Sequence, residues 1–182
     1  QMEETLEEER VLPMIKKPRK IIFTNDRPSP DLPTELKNRV AELNGYDLKF
    51  VMHKQLFKSD VNPNSNRLSM PINEIKYNFF SEAEIEKLDE REGPEGKGRL
   101  LGIDVTVLDP CLREFTLQLK KWSMKSTDTY NLVKNWNNIV SLNKFEAYQE
   151  LQIWSFRVHD KLYFLLSKLS MSDVNEKKTL NV

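Results

Sequence analysis

A small, mainly β domain of seven short strands, with short helices at its flanks, is the fold class this sequence predicts. Three observations point to it. Short segments rich in aromatic and β-branched residues recur with a period of two. Clusters of Asn, Asp, Gly, Pro and Ser separate those segments. Helical spacing of apolar residues is confined to three brief stretches.

The elements follow in chain order. Residues 1–30 hold a Glu-rich stretch, the basic cluster Lys16, Lys17, Arg19 and Lys20, and then "NDRPSPD". Such a segment cannot bury enough apolar surface to offset its ordering entropy, and it is expected to be a disordered arm. The cluster fits a nuclear-import signal or a loose phosphate-binding arm, and equally a solvated charge run. From residue 31 the signals change. Asp31 can cap, Pro33 suits a first turn, and Leu36, Val40 and Leu43 recur at helical spacing up to Asn44-Gly45, predicting an amphipathic helix over residues 33–44. Then come seven candidate strands: "KFVMHKQLF", "RLSM", "LLGIDVTVL", "REFTLQLKK", "YNLV", "ELQIWSFRV" and "KLYFLLSKL". That number in so short a span implies a small barrel or sandwich. Two helices interrupt them. "SEAEIEKLDE" opens on a capping box from Ser81 to Glu84. "NWNNIVSLN" sets Trp136, Ile139 and Val140 on one helical face. The tail, residues 171–182, is polar and expected to be flexible.

Composition narrows the class. The chain has 182 residues, near the size of one domain plus tails. A single cysteine, Cys111, precludes an internal disulfide, and no Asn-x-Ser/Thr acceptor occurs, so a reducing intracellular compartment is expected. The run "LYFLLSKL" is too short to span a bilayer, and no signal-peptide core is evident near the N-terminus, so no membrane partner is expected. Basic and acidic residues balance at 28 each, but they are segregated. Residues 82–95 carry Glu82, Glu84, Glu86, Asp89, Glu90, Glu92 and Glu95 against Lys87 and Arg91. Residues 113–136 carry Arg113, Lys120, Lys121, Lys125 and Lys134 against Glu114 and Asp128. The loop "SDVNPNSNRLSMP" is flanked by Lys54, Lys58 and Arg67. Basic loops rich in short amides and hydroxyls suit phosphates and base edges.

These segments also carry a resemblance. "LFKSDVNPNSNRLSMP" resembles the start of the plant B3 DNA-binding domain, where a strand leads through Lys and Ser/Thr-Asp into a polar loop and an Arg-Leu strand closed by Pro. "KKWSMKSTDTYNLVKNWNNIVSLNKF" is similar to the second half of that domain, and "ELQIWSFRV" to the strand that follows. The helix "LPTELKNRVAELNGYD" resembles that of the plant-specific B3 subfamily formerly classed as a domain of unknown function. The likeness covers about residues 30–168, within a B3-like domain of residues 31–170. It implies a seven-stranded open pseudobarrel with a helix at each end, gripping the major groove of double-stranded DNA between two arms. Carried over by position, the N-arm offers Lys58, Ser59, Asn62, Asn64, Asn66 and Arg67, and the C-arm offers Lys121, Ser123, Lys125 and Ser126. The implied activity is sequence-specific DNA binding in transcriptional regulation in the nucleus, with no metal, no cofactor and no catalysis.

Two departures stand out. Asn135 replaces a usual Gly before the helical Trp, and Tyr148-Gln149 replace a Gly-Asp turn. Asn tolerates a left-handed backbone, whereas Tyr148 does not, so that turn is expected to change shape. The acidic insertion, residues 82–98, would repel phosphate, so it is expected on the side away from the groove, where it could recruit nuclear transcription proteins. Plainer readings exist: Arg67, Lys121 and Lys125 as solvated strand-end cations, and Trp122, Trp136 and Trp154 as packing residues. Catalytic signals are poor. His53, His159 and Cys111 have no metal-site spacing, "PDLPTELK" is too tight for a nuclease site, and "GPEGKG" lacks a strand-to-helix context. The alternative to DNA reading is a protein-interaction module on the same scaffold with weak or non-specific DNA binding.

Overall fold

Each period-two segment forms a strand. The structure, a computed structural model, describes residues 29–123 and 125–168. The basic cluster of the predicted arm and the predicted tail lie outside them. The elements are α1 (Thr34–Glu42), β1 (Tyr46–Gln55), α2 (Lys58–Val61), β2 (Arg67–Pro71), a 3-10 turn (Ile72–Glu74), α3 (Glu82–Asp89), β3 (Ile103–Leu108), β4 (Glu114–Ser123), β5 (Asp128–Val133), α4 (Trp136–Asn143), β6 (Glu150–Val158) and β7 (Lys161–Lys168). One seven-stranded sheet runs β1-β6-β7-β3-β4-β5-β2, antiparallel except for the parallel β3–β7 pair. β1 and β2 stand at its two edges, so the barrel is open.

Alternation divides the faces. On β4, Leu117 and Leu119 are buried in the barrel interior while Gln118 and Lys120 are half-exposed on the outside. Leu68, Met70, Leu132, Val107, Ile153 and Phe164 complete that interior, and Trp136 and Ile139 of α4 and Leu88 of α3 close it. A second apolar cluster lies on the outer face of β1, β6 and β7. There Leu36 and Val40 of α1 pack on Phe50, Trp154, Phe156 and Val158. Strands buried on both faces explain why "ELQIWSFRV" reads as almost unbroken burial.

The helix ends are set locally. Pro33 holds the N-cap position of α1 and Asp31 makes no cap; its carboxylate pairs instead with Lys37 Nζ at 3.5 Å. At the other end Asn44 takes the left-handed conformation (φ 56), donating to Ala41 O at 2.9 Å, while Gly45 donates to Val40 O at 2.8 Å. A Cβ on Gly45 would lie 2.7 Å from Val40 Cγ1 and 2.8 Å from Phe156, so glycine serves close packing there. The capping box of α3 forms as the sequence predicts: Glu84 N donates to Ser81 Oγ at 3.2 Å and Ser81 N to Glu84 Oε1 at 2.9 Å. Of the two departures from the family pattern, Asn135 behaves as expected and Tyr148 does not. Asn135 is left-handed (φ 60), as an Asn can be, but Tyr148 is left-handed too, at φ 70. Tyr148 is held there by its own N–H, which donates to Leu56 O at 2.7 Å.

Candidate nucleic-acid interface

Two polar loops flank β5. The first, between β1 and β2, is built around one buried carboxylate. Asp60, 1% exposed, accepts from Phe57 N at 2.6 Å and Ser69 N at 3.0 Å, and its Oδ2 stands 3.0 Å from Lys54 Nζ. Burial pulls the Lys54 ammonium below its ordinary pKa, against the opposing pull of Asp60. Lys54 also lies 3.6 Å from the centroid of the Phe57 ring. The Asp60 carbonyl accepts from the indole of Trp136 at 2.7 Å, and Asn137 Nδ2 donates to Pro63 O at 2.8 Å, so α4 props the loop from outside. The turn of helix α2 was not legible in the sequence. It is four residues long and exists because Asp60 ties its N-terminal backbone.

The six predicted N-arm residues fall into two groups. Lys58 and Asn64 are exposed, Ser59 is half-buried, and Arg67 is half-buried at the first position of β2. Asn62 and Asn66 spend their carbonyl oxygens inside the loop. Asn62 Oδ1 accepts from Asn64 N at 3.0 Å, and Asn66 Oδ1 accepts from Asn137 N at 2.9 Å at the start of α4. Asn66 is itself left-handed (φ 44). Both amides therefore shape the loop, whatever their amino groups do.

The second loop joins β4 to β5, where Ser123, Lys125 and Ser126 are exposed. Register sets the two loops at opposite ends of β5: Arg67 pairs with Val133, and Ser123 with Asp128. Five steps of about 3.4 Å separate those roots by about 17 Å. Between them the outward residues form three rows, Arg67–Val133–Gln118, Ser69–Asn131–Lys120 and Pro71–Thr129–Trp122. The Arg67 guanidinium reaches across this palm to lie 5.5 Å from the centroid of the Trp122 ring. Asn131, in the middle row, is fully buried and its Oδ1 has no hydrogen-bond partner. Trp122 corrects the expectation that all three tryptophans are packing residues. Trp136 (0% exposed) and Trp154 (6%) are buried, whereas Trp122 lies half-exposed on the palm. The polar alternation of Gln118, Lys120 and Trp122 around Leu117 and Leu119 was the signal that could have placed it there.

The acidic insertion is not on the far side. Asp89 Oδ1 lies 3.5 Å from Lys121 Nζ, and Asp89, Arg91 and Leu100 line a cleft together with Lys121, Trp122 and Ser123. Topology forces this placement. β2 ends at Pro71 opposite Thr129, beside the β4–β5 loop, and the chain enters β3 antiparallel to β4 from that same side, with Leu100 in one cleft with Trp122 and Ser123, so the insertion leaves and rejoins the sheet there. Arg157 bolts it down, donating to Glu84 Oε1 at 2.5 Å, Glu84 Oε2 at 3.1 Å and Phe79 O at 2.8 Å. Burial pushes the Tyr130 phenol above its ordinary pKa, with Lys121 pulling the other way and Asp89 adding to the rise. Lys121 is thus partly neutralised at home. Lys58 and Lys125 have no ion pair among the described residues.

Among the described residues no group of three or more His, Cys, Asp and Glu could hold a metal, and no helix is long and apolar enough to cross a membrane. Cys111 is exposed in the β3–β4 turn, where its N–H donates to Asp109 Oδ1 at 3.0 Å.

Comparison with known proteins places the sequence in a family. The family model described as "B3 domain-containing protein At2g31720-like" covers residues 29–170. In Arabidopsis thaliana, B3 domain-containing protein At2g31720 is 38% identical over 134 residues, which is 72% of this chain and 42% of that protein. B3 domain-containing protein At2g32645 is 36% identical over 118 residues, 63% of this chain and 61% of that one. The chain thus spans only about half the length of the curated relatives it matches. A solved Arabidopsis FUS3–DNA complex is 19% identical with a TM-score of 0.44, over 67% of this chain and 100% of that one, a likeness too loose to carry an inference. With most of its length covered by the family model, the chain belongs to the B3 domain family.

Proposed function

We propose that this chain binds double-stranded DNA sequence-specifically through the major groove and acts in transcriptional regulation in the nucleus, as a binding module and not as an enzyme. One observation carries the reading. Two polar loops bearing exposed Lys58 and Lys125 rise from roots about 17 Å apart along β5, at the two ends of a palm that presents Arg67, Lys120 and Trp122. That span straddles a major groove about 12 Å wide. Lysines at the loops hold phosphates, fixing register, while Arg67 offers a fork suited to guanine O6 and N7. Ser59, Asn62, Asn64, Asn66, Ser123 and Ser126 supply further hydrogen-bonding groups to the two loops. Lys121 contributes once it leaves Asp89. Membership of the B3 family supports the same reading.

Selection of bound duplexes from a random pool at stated salt tests it. A recovered consensus, lost on combining Arg67→Glu with Lys121→Glu in a protein of unchanged circular dichroism, is the expected result; unchanged affinity at low salt refutes the face assigned. The insertion favours a second reading, a protein-interaction module with weak DNA binding, because it sets Asp89 beside Lys121 and leaves Glu82, Glu86, Glu90, Glu92 and Glu95 exposed. Failure of the wild-type chain to retain any duplex at 50 mM salt would select it.

A further inference from the structure

We infer that the buried Lys54–Asp60 pair is a positioning device for the N-arm: it closes the neck of the loop and thereby presets Lys58, Ser59 and Arg67 for the partner without touching it. The inference rests on the DNA-binding reading above. Asp60 sits inside the loop and holds both of its sides. Its carboxylate takes the N–H of Phe57 at the way in and the N–H of Ser69 at the way out, at 2.6 and 3.0 Å. Every residue proposed to contact DNA from this arm lies between those two amides.

The choice of residues is informative. An isolated carboxylate at 1% exposure is untenable without compensation. Here the compensating cation comes from β1, with Lys54 equally buried, and the opposite edge strand β2 supplies Ser69 N–H. β1 and β2 are the two free edges of the open sheet and are not hydrogen-bonded to each other. The carboxylate is therefore the polar link that ties one edge to the other beneath the arm. Trp136 Nε1 on the Asp60 carbonyl and Asn137 on Pro63 O and Asn66 Oδ1 then fix the loop against α4. A purely apolar neck would pack as well and would cost less desolvation. An anion accepts from the two backbone amides and also offsets the charge of the ammonium 3.0 Å away, so the pair gives the loop one geometry. Preset contacts raise affinity by lowering the ordering cost on binding.

Asp60→Asn tests this. Asparagine leaves an amino group facing one of three donors, so one side of the neck opens. The protein, carrying the full chain, is titrated with the duplex recovered by selection, at several salt concentrations. Expected are an affinity loss of about tenfold or more, and a flatter salt dependence, by about two ions, as Lys58 and Arg67 no longer seat. Adding Arg67→Ala should then cost little more, whereas Lys125→Ala, in the other arm, should cost what it costs in wild type. Global destabilisation without a positioning role would lower the active fraction but leave slope and additivity intact, and that result overturns the inference. If the variant does not fold, amide exchange on the wild type decides. Phe57 and Ser69 N–H protected as strongly as the β2–β5 ladder sustains the clamp; exchange at loop rates overturns it. Binding by wild type with no change in Asp60→Asn sinks only the clamp, while a wild-type chain that binds no duplex sinks the DNA reading itself.

Discussion

Replacing Asp89 by asparagine should make this protein bind DNA more tightly. The carboxylate stands 3.5 Å from Lys121 Nζ, with the two side chains 64% and 31% exposed. An exposed pair of this kind is worth about 0.2–1 kcal/mol, and that stabilisation is forfeited when Lys121 turns to a phosphate. The carboxylate then remains near the same phosphate. At about 7 Å in bulk water two like charges repel by about 0.6 kcal/mol. Together the two effects come to about 0.8–1.6 kcal/mol, or about four- to fifteenfold in affinity at low salt. A liberated cation also displaces one more counterion, so the slope of log K against log salt should steepen by about 0.9. Fluorescence anisotropy with the selected duplex, between 50 and 200 mM salt, measures both. Asp31→Asn is the matched control, because Asp31 pairs with Lys37 at the same 3.5 Å on α1, which packs on the outer face of β1, β6 and β7. It should change affinity less than about twofold. Equal affinity and slope in Asp89→Asn and wild type would refute the idea that the insertion holds down a C-arm cation.

Two further expectations concern stability. Tyr148→Gly should stabilise the fold by about 0.5–1 kcal/mol and raise Tm by about 2–4 °C, because glycine relieves the left-handed strain at φ 70 and Tyr148 is exposed; a fall in Tm would show that its ring packs usefully. Glu84 gives the pH dependence. Burial raises its carboxyl pKa, but the hydrogen bonds from Arg157 and Ser81 outweigh that and leave it below the ordinary value. Its contribution is therefore complete above the unfolded value of about 4.3 and lost as pH falls through the lower folded one. Glu84→Gln should flatten the decline of the urea midpoint between about pH 5 and 3, and an unchanged decline would contradict the assignment.

How much of this was legible depends on range. The strands were, because a period of two with turn residues between is a local signal, and all seven candidate segments are strands. The two packing tryptophans and the capping box of α3 were legible for the same reason. What the sequence concealed is non-local. Helix α2 owes its existence to a carboxylate bonded to residues on both sides of a loop. Asn62 and Asn66 look like free amides along the chain, yet Asn66 closes a contact seventy-one residues away. Trp122 is apolar by composition and outward by register, and only β5 and β2 alongside it show that its neighbour is Arg67. Repulsion alone placed the acidic insertion away from the arms. The strand ends that tether it decided otherwise, since a covalent path outweighs about 1 kcal/mol of exposed Coulomb energy.

That placement makes the two arms unequal. The N-arm is held by a buried ion pair, an indole and two amides, and its cations Lys58 and Arg67 have no carboxylate partner among the described residues. In the C-arm Lys121 shares its charge with Asp89, and Lys125 stands exposed at the tip. Zero formal charge, read over the whole chain, would argue against a polyanionic partner. Read by position, it means that attraction is concentrated on one rigid arm and moderated on the other. On the proposed DNA-binding reading, long-range pull on DNA is then modest, non-specific binding falls with it, and the net affinity comes to depend on whether Arg67 and its neighbours meet matching base edges. Under that same proposal, discrimination of one short site among many gains more from this distribution of charge than from a uniformly basic surface, because each lysine that binds any phosphate equally well adds to every competing site as much as to the correct one.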